Sequence, residues 1–158
     1  KWLEYMKLKG THKSTGLFIT EVQNVKKFSN QPRGCALSYL IHYMSKFEPE
    51  VAKEQWEQYK KHMLIKRLGM TCFREYLPTY KGKWSPDSGP IITGVGIAAS
   101  GLGMNAATSV KDEETFILIY KGAKVILSIL NLVNWIPGVN IISRIANDLL
   151  ASAIFFKC

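Results

Sequence analysis

Apolar residues recur along this chain at helical spacing, and two such segments occupy its first half. From Gly34 to Phe47 the sequence is apolar nearly all round, interrupted by Ser38 and His42. This pattern predicts a helix that is buried on every side. From Glu50 to Leu68 the apolar residues form one stripe, which predicts an outer helix with a single buried face. The stripe consists of Ala52, Trp56, Tyr59 and Met63.

The second half repeats this alternation. Pro90–Thr108 is rich in glycine and alanine and predicts a buried helix, because each helical glycine costs about 1 kcal/mol and close packing would offset it. Lys111–Val133 predicts an outer helix that follows a capping box from Ser109 to Asp112, and Asn140–Phe156 predicts a last apolar helix. We therefore expect an all-α fold, a single domain over residues 1–158, built from α/α hairpins of inner and outer helices.

A stretch of about 20 residues, Met70 to Gly89, separates the two halves and exceeds the usual connection of about 4–6 residues. Its aromatic residues predict an ordered loop. Two segments, Gln31–Gly34 and Ser85–Pro90, lead into the N-terminal ends of the predicted inner helices. If those helices are parallel, both segments open on the same end of the fold, and that end is where we expect a site.

The candidate catalytic residues at this end are Glu75, Asp87 and Tyr76. Two carboxylates in different environments can divide proton donation and proton acceptance, and a tyrosine can donate a proton or stack on a ring. The expected substrate contacts are Arg33, Arg74, Trp84 and His42. Structural roles are the alternatives: Asp87 as a helix cap, Arg74 and Glu75 as an ion pair, and His42 as a hydrogen-bonded core histidine.

Composition narrows the possible functions. The 158 residues are 47% hydrophobic and 21% charged, which indicates a folded protein. The net charge is +9, but its dense basic run, Tyr59–Arg67, lies on an amphipathic helix and indicates a solvated face, so we expect no nucleic-acid partner. The three cysteines, Cys35, Cys72 and Cys158, lack CxxC spacing, which argues against disulfides and zinc. We expect Cys35 to be a small core residue, and we expect no metal or cofactor.

Three apolar segments, residues 91–110, 116–133 and 139–156, approach the length that spans a membrane. Lysines interrupt the second segment, and Arg144 and Asp148 interrupt the third, at a high cost in lipid. A soluble domain is therefore favoured, with membrane association of the full protein as the alternative. Because the sequence begins at Lys1 rather than at a methionine, we expect a processed chain or part of a longer one.

Four segments, Gln31–Ser38, Glu54–Lys60, Phe73–Tyr76 and Asp87–Pro90 with the Gly/Ala helix after it, resemble the bacterial α/α-toroid proteins related to linalool dehydratase/isomerase. Six-hairpin glycosidases and terpenoid cyclases are more distantly similar. The resemblance runs from about Gly16 to the C-terminus and implies a ring of inner and outer helices around a central funnel. A full toroid is about twice as long, so the resemblance implies the C-terminal portion of one, completed by the rest of the protein or by a second chain.

Two functions from different classes follow. The first is a hydrolase or lyase that acts on a carbohydrate or terpenoid-like small molecule by acid/base chemistry in the funnel. The second is a non-catalytic helical binding or assembly module, membrane-associated in one version, which would form a homo-oligomer or pack against another chain.

Overall fold

The structure is a computed structural model that describes residues 1–20, 31–67, 69–80, 88, 91–92 and 94–132. This part of the chain contains five helices and two antiparallel strand pairs, β1 with β2 and β3 with β4. In chain order the elements are α1 (Trp2–Lys9), α2 (Gly34–Met44), α3 (Pro49–Met63), β1 (Leu64–Arg67), β2 (Met70–Phe73), β3 (Ile91–Ile92), β4 (Val95–Gly96), α4 (Ile97–Ser109) and α5 (Glu113–Leu132).

The prediction of an all-α fold is wrong, because a β-hairpin follows α3. The apolar stripe of α3 is confirmed, since Ala52, Trp56, Tyr59 and Met63 are all buried. The helix ends at Met63, however, and β1 pairs with β2 in a register that places Leu64 opposite Phe73. Gly69 has a φ of 75°, a left-handed conformation that glycine adopts without strain. It therefore lies in the turn of the hairpin, directly after the range Glu50–Leu68 that the sequence assigned to a helix.

A second short hairpin delays the start of the small-residue helix. Ile91 pairs with Gly96 and Ile92 with Val95, and β-branched residues of this kind suit strands. Gly94 has a φ of 85°, which breaks a right-handed helix. As a result α4 begins at Ile97 rather than at Pro90. The predicted helical hairpins are interrupted by strands, so the described residues do not show the predicted toroid arrangement.

Helix α4 lies at the centre of the described structure, in contact with α2, α5 and β2. Every residue of α4 is buried or half-buried. Gly103 allows the ring of Phe73 to approach, because a Cβ at that position would lie 2.6 Å from Phe73 Cδ2. Phe73 in turn stacks on Tyr59, with ring centroids 4.1 Å apart. The small-residue helix is thus covered by the chain's own elements.

Two further predictions change at the surface. Helix α2 is not buried on all sides, since Tyr39 and Tyr43 are each 51% exposed. Helix α5 follows its predicted range closely, but its cap is Asp112 and not Ser109, because the backbone N–H of Thr115 donates to Asp112 Oδ1 at 3.0 Å.

The predicted helix Asn140–Phe156 lies outside the described residues. Among the helices of the described part, none has both the length and the apolar character needed to cross a bilayer.

Candidate functional site

The carboxylate of Glu75 lies at the centre of a buried polar cluster. Glu75 comes two residues after Phe73, the last residue of β2, and it is 0% exposed. Oε1 accepts hydrogen bonds from Nε of Arg33 at 3.1 Å and from Sγ of Cys35 at 3.0 Å. Oε2 accepts one from the backbone N–H of Cys35 at 3.1 Å. Because Cys35 is in the first turn of α2, the carboxylate also lies at the positive end of that helix.

Backbone packing positions this carboxylate. The N–H of Gly34 donates to the carbonyl oxygen of Glu75 at 2.8 Å. Gly34 has no room for a Cβ, which would collide with the carbonyl oxygen of Arg74. On the other side, a Cβ on Gly96 would lie 3.0 Å from the backbone nitrogen of Glu75. The segment that carries Glu75 is therefore held between the start of α2 and the end of β4, and two glycines make that approach possible.

Tyr59 of α3 extends the cluster toward the core. Its hydroxyl donates to the carbonyl oxygen of Gly34 at 3.0 Å, and the hydroxyl of Ser38 donates to it at 3.0 Å. Burial raises the pKa of Tyr59 well above its usual range, against the lowering effect of the Ser38 hydrogen bond, and nearby Glu75 raises it further. Tyr59 is therefore a neutral hydrogen-bond donor that links α3 to α2.

Burial also raises the pKa of Glu75. The hydrogen bonds from Cys35 and the positive charge of Arg33 lower it, but they do not outweigh the loss of solvent. A raised carboxyl pKa is what a general acid needs. A general acid must also reach its substrate, and Glu75 has no solvent-exposed surface.

The structure brings three of the predicted site residues together. The guanidinium carbon of Arg33 lies 5.7 Å from the ring centroid of half-buried Tyr76, and Arg33 also contacts Glu75. The partner of Glu75 is Arg33 rather than Arg74, so the predicted Arg74–Glu75 ion pair is replaced by one between two elements. Arg74 pairs as a β-bridge with Val95, and its backbone N–H donates to the carbonyl oxygen of Met63 at 2.9 Å.

The other predicted residues lie elsewhere. His42 is eight residues after Gly34 on α2, a rise of about 12 Å, and its Nδ1 lies 2.6 Å from the hydroxyl oxygen of Ser109. Partial burial, and then the charge of Lys46, lower the pKa of His42. These contacts match the alternative of a hydrogen-bonded histidine. Asp87 and Trp84 lie outside the described residues.

The sequence did not predict the role of Cys35, which was expected to be a small core residue. Its thiol and its backbone N–H both donate to Glu75. The available signal was its place directly after Arg33 and Gly34, at the start of a helix, where N–H groups are free to bind an anion. What the sequence could not show is that a residue forty positions later would supply that anion.

Asp112 forms a second polar cluster that the sequence analysis also missed. Its Oδ2 accepts hydrogen bonds from the indole N–H of Trp56 at 2.8 Å and from Nζ of Lys60 at 2.7 Å. Burial alone would raise the pKa of Asp112. The hydrogen bonds from Lys60, Thr115 and Trp56 outweigh burial and hold that pKa well below its usual range. This N-cap therefore ties α5 to α3.

A pocket of about 170 Å³ lies beside the start of α5 and is lined by Thr108, Lys111, Glu113 and Phe116. It is smaller than most ligand sites, which measure about 300–1,000 Å³, and none of its lining residues belongs to the Glu75 cluster. Among the described residues, no three His, Cys, Asp or Glu side chains are grouped so that they could hold a metal ion.

Comparison with protein families, curated proteins and solved structures gives no match for this chain. The resemblance to the α/α-toroid proteins therefore stays a prediction, and the function has to be argued from the geometry alone.

Proposed function

We propose that this chain is a non-catalytic helical binding module that associates with a second copy of itself. The contact is an aromatic row that begins on α2 and ends in the turn after it. The row consists of Tyr39, Tyr43 and Phe47, which are 51%, 51% and 66% exposed. The exposure of these three aromatic side chains is the observation that carries the proposal. Single exposed apolar residues are ordinary, whereas a contiguous set is typical of interaction sites.

The row has the chemistry of an interface centre. The rings of Tyr39 and Tyr43 are stacked, 5° from parallel with centroids 6.0 Å apart. Nζ of Lys46 lies 5.3 Å from the ring centroid of Tyr43. Tyrosines bury a large area on binding at a low cost in side-chain entropy, and they are enriched at interface hot spots. A partner that covered this face would complete the burial that the sequence of α2 predicts.

The Glu75 cluster supports a binding role because it holds α2 in a fixed position. The carboxylate is fully enclosed and accepts its hydrogen bonds from the start of α2. Through these bonds α2, which carries the aromatic row, is fixed to the end of β2. A rigid helix loses little conformational freedom when it binds a partner, and this favours affinity.

A second candidate is acid/base catalysis on a carbohydrate or terpenoid-like small molecule. The observation in its favour is that Arg33, Glu75 and Tyr76 lie together and that the pKa of Glu75 is raised. This candidate requires a movement that would expose Glu75. The exposed aromatic row needs no such movement, and for that reason the binding module is the better-supported proposal.

Analytical ultracentrifugation of the purified chain tests the binding proposal. We expect concentration-dependent self-association that the double substitution Tyr39→Ser/Tyr43→Ser weakens at least tenfold, since hot-spot truncations cost about 2 kcal/mol or more. The control is Tyr5→Ser on α1, because Tyr5 is 49% exposed and lies outside the row. A wild type that is monomeric at all concentrations, or a control that weakens association equally, would contradict self-association through α2.

A further inference from the structure

A second surface, on α5, combines lysines with exposed apolar side chains. Ile117, Leu118 and Val125 are 46%, 38% and 48% exposed, and Lys121 and Lys124 are exposed with them. At 100° per residue all five fall on one side of the helix. The opposite side, which includes Thr115, Ile119 and Gly122, is buried against the protein. Helix α5 therefore presents an amphipathic face outward as well as an apolar face inward.

The inward side of α5 packs on β2. A Cβ on Gly122 would lie 3.2 Å from Cβ of Met70, so the middle of the helix rests directly on the hairpin and the opposite side of the helix faces outward. We call Ile117, Leu118, Lys121, Lys124 and Val125 the basic–apolar patch.

The charge of this patch is not neutralised within the described part of the chain. Neither of its two lysines forms a salt bridge there. From Thr115 to Leu132 the sequence contains no acid, and the acids Glu113 and Glu114 are confined to the first turn of α5. The patch is therefore a site of positive potential on a chain whose net charge is already +9.

We infer that the basic–apolar patch binds the surface of an anionic lipid bilayer. A helix that lies in the plane of such a surface buries apolar side chains at the boundary between headgroups and acyl chains, and its lysines reach the headgroups. Ile117, Leu118 and Val125 provide the apolar contact, and Lys121 and Lys124 provide the attraction to acidic lipids. A nucleic acid would use the cations but would gain little from exposed isoleucine, leucine and valine, which is why lipid is the better match.

This inference goes beyond the proposed function, because it uses α5 and not the aromatic row of α2. It concerns a contact with the surface of the bilayer, which needs no spanning helix. A lysine near an anionic surface contributes about 1 kcal/mol, so the loss of two lysines should weaken binding about 30-fold.

Vesicle co-sedimentation tests the inference with the whole chain. Wild type should bind vesicles of phosphatidylcholine with 30% phosphatidylserine and should bind pure phosphatidylcholine far more weakly. Lys121→Gln/Lys124→Gln should bind the acidic vesicles about 30-fold more weakly. The control is Lys53→Gln/Lys61→Gln, which removes the same charge from exposed positions on α3. If both double variants bind alike, or if the wild type ignores acidic lipid, the inference is overturned.

A second variant, Ile117→Ser/Leu118→Ser, separates lipid from nucleic acid. It should weaken vesicle binding while it leaves the charge unchanged. If the wild type instead binds a DNA duplex more tightly than vesicles, and this variant binds both as the wild type does, the patch is a nucleic-acid site and the lipid inference fails. Repeating the vesicle assay on Tyr39→Ser/Tyr43→Ser keeps this result independent of self-association.

Discussion

Glu75 shows how a residue can have the chemistry of a catalyst and the environment of a structural group. Its pKa is raised, as in many general acids. Its carboxylate, however, is surrounded by the side chain of Arg33, the thiol of Cys35 and the N-terminus of α2. The guanidinium of Arg33 is itself nearly buried, with 9% exposure for the residue. At the residue scale, therefore, the main consequence of Glu75 is that Arg33 has a partner inside the protein.

The substitution Glu75→Ala should reveal this dependence. Removing a member of a buried ion pair is strongly destabilising, and here it also removes the hydrogen bonds that Arg33 and Cys35 donate to the carboxylate. We therefore expect the free energy of unfolding to fall by about 3–5 kcal/mol. Urea denaturation at pH 7 measures it. Glu54→Ala on α3, at an exposed position, is the control and should change stability by less than about 0.5 kcal/mol.

The outcome also bears on catalysis. A carboxylate that is retained for chemistry often sits at a cost to stability, so its removal would leave the fold unchanged or more stable. If Glu75→Ala unfolds at the same urea concentration as the wild type, Glu75 does not hold α2 in place, and the acid/base candidate gains support.

At the scale of elements, the sequence predicted the features that depend on helical periodicity. The buried stripe of α3 and the range of α5 follow from spacing alone, because burial of an apolar stripe is a local property. The two hairpins were missed because their strands have four and two residues, too short for an alternating pattern to stand out. Gly69 and Gly94 lie in the two turns. In the sequence, however, Gly94 falls within the predicted helix Pro90–Thr108, and Gly69 directly follows the predicted helix Glu50–Leu68.

The sequence predicted residues of the candidate site but not the contacts between them, because those contacts depend on tertiary packing. Arg33, Glu75 and Tyr76 were expected at one end of the fold, and Arg33 does contact both Glu75 and Tyr76. The pairing of Arg33 with Glu75, and the capture of that carboxylate by Cys35, depend on how closely two segments approach. That approach is set by Gly34 and Gly96 through backbone contacts, which no sequence periodicity encodes.

The Asp112 cap joins two elements, and its charge gives a pH-dependent prediction. The pKa of Asp112 is lowered in the folded state, so its contribution to stability is present above the unfolded value of about 3.9. It is lost as the pH falls below that value. We expect Asp112→Asn to lose about 1.5–3 kcal/mol at pH 7, as for hydrogen bonds to a charged group, and to lose much less at pH 2.

Urea midpoints at pH 7 and pH 2 measure this effect. Asparagine is as good an N-cap as aspartate, so the substitution keeps the cap while it removes the charge and the second acceptor oxygen that Lys60 and Trp56 contact. Glu113→Gln, one residue later and exposed, is the matched control. A deficit of the same size at both pH values would show that the lost acceptor oxygen matters and the charge does not.

At the scale of the whole molecule, the net charge of +9 acts on the two proposed surfaces in opposite directions. Two copies that meet through the aromatic row repel each other. The cation beside the row, Lys46, is attracted to the Tyr43 ring of its own copy. The basic–apolar patch is attracted to an acidic bilayer by the same charge. Salt screens both effects over the Debye length, which shrinks from about 14 Å at 0.05 M to about 4 Å at 0.5 M.

Raising the salt concentration from 0.05 M to 0.5 M should therefore strengthen self-association and weaken vesicle binding. Sedimentation velocity and vesicle co-sedimentation on the same preparation measure the two trends, and neutral sucrose at matched density serves as the control. Charge repulsion limits one process and charge attraction drives the other, so the two affinities should move apart as screening increases. If both fell with salt, the contact between copies would itself be ionic, and the aromatic row could not be its centre. If neither changed, the excess charge would be too dispersed to act at either surface, and the lysines of α5 would have no special role.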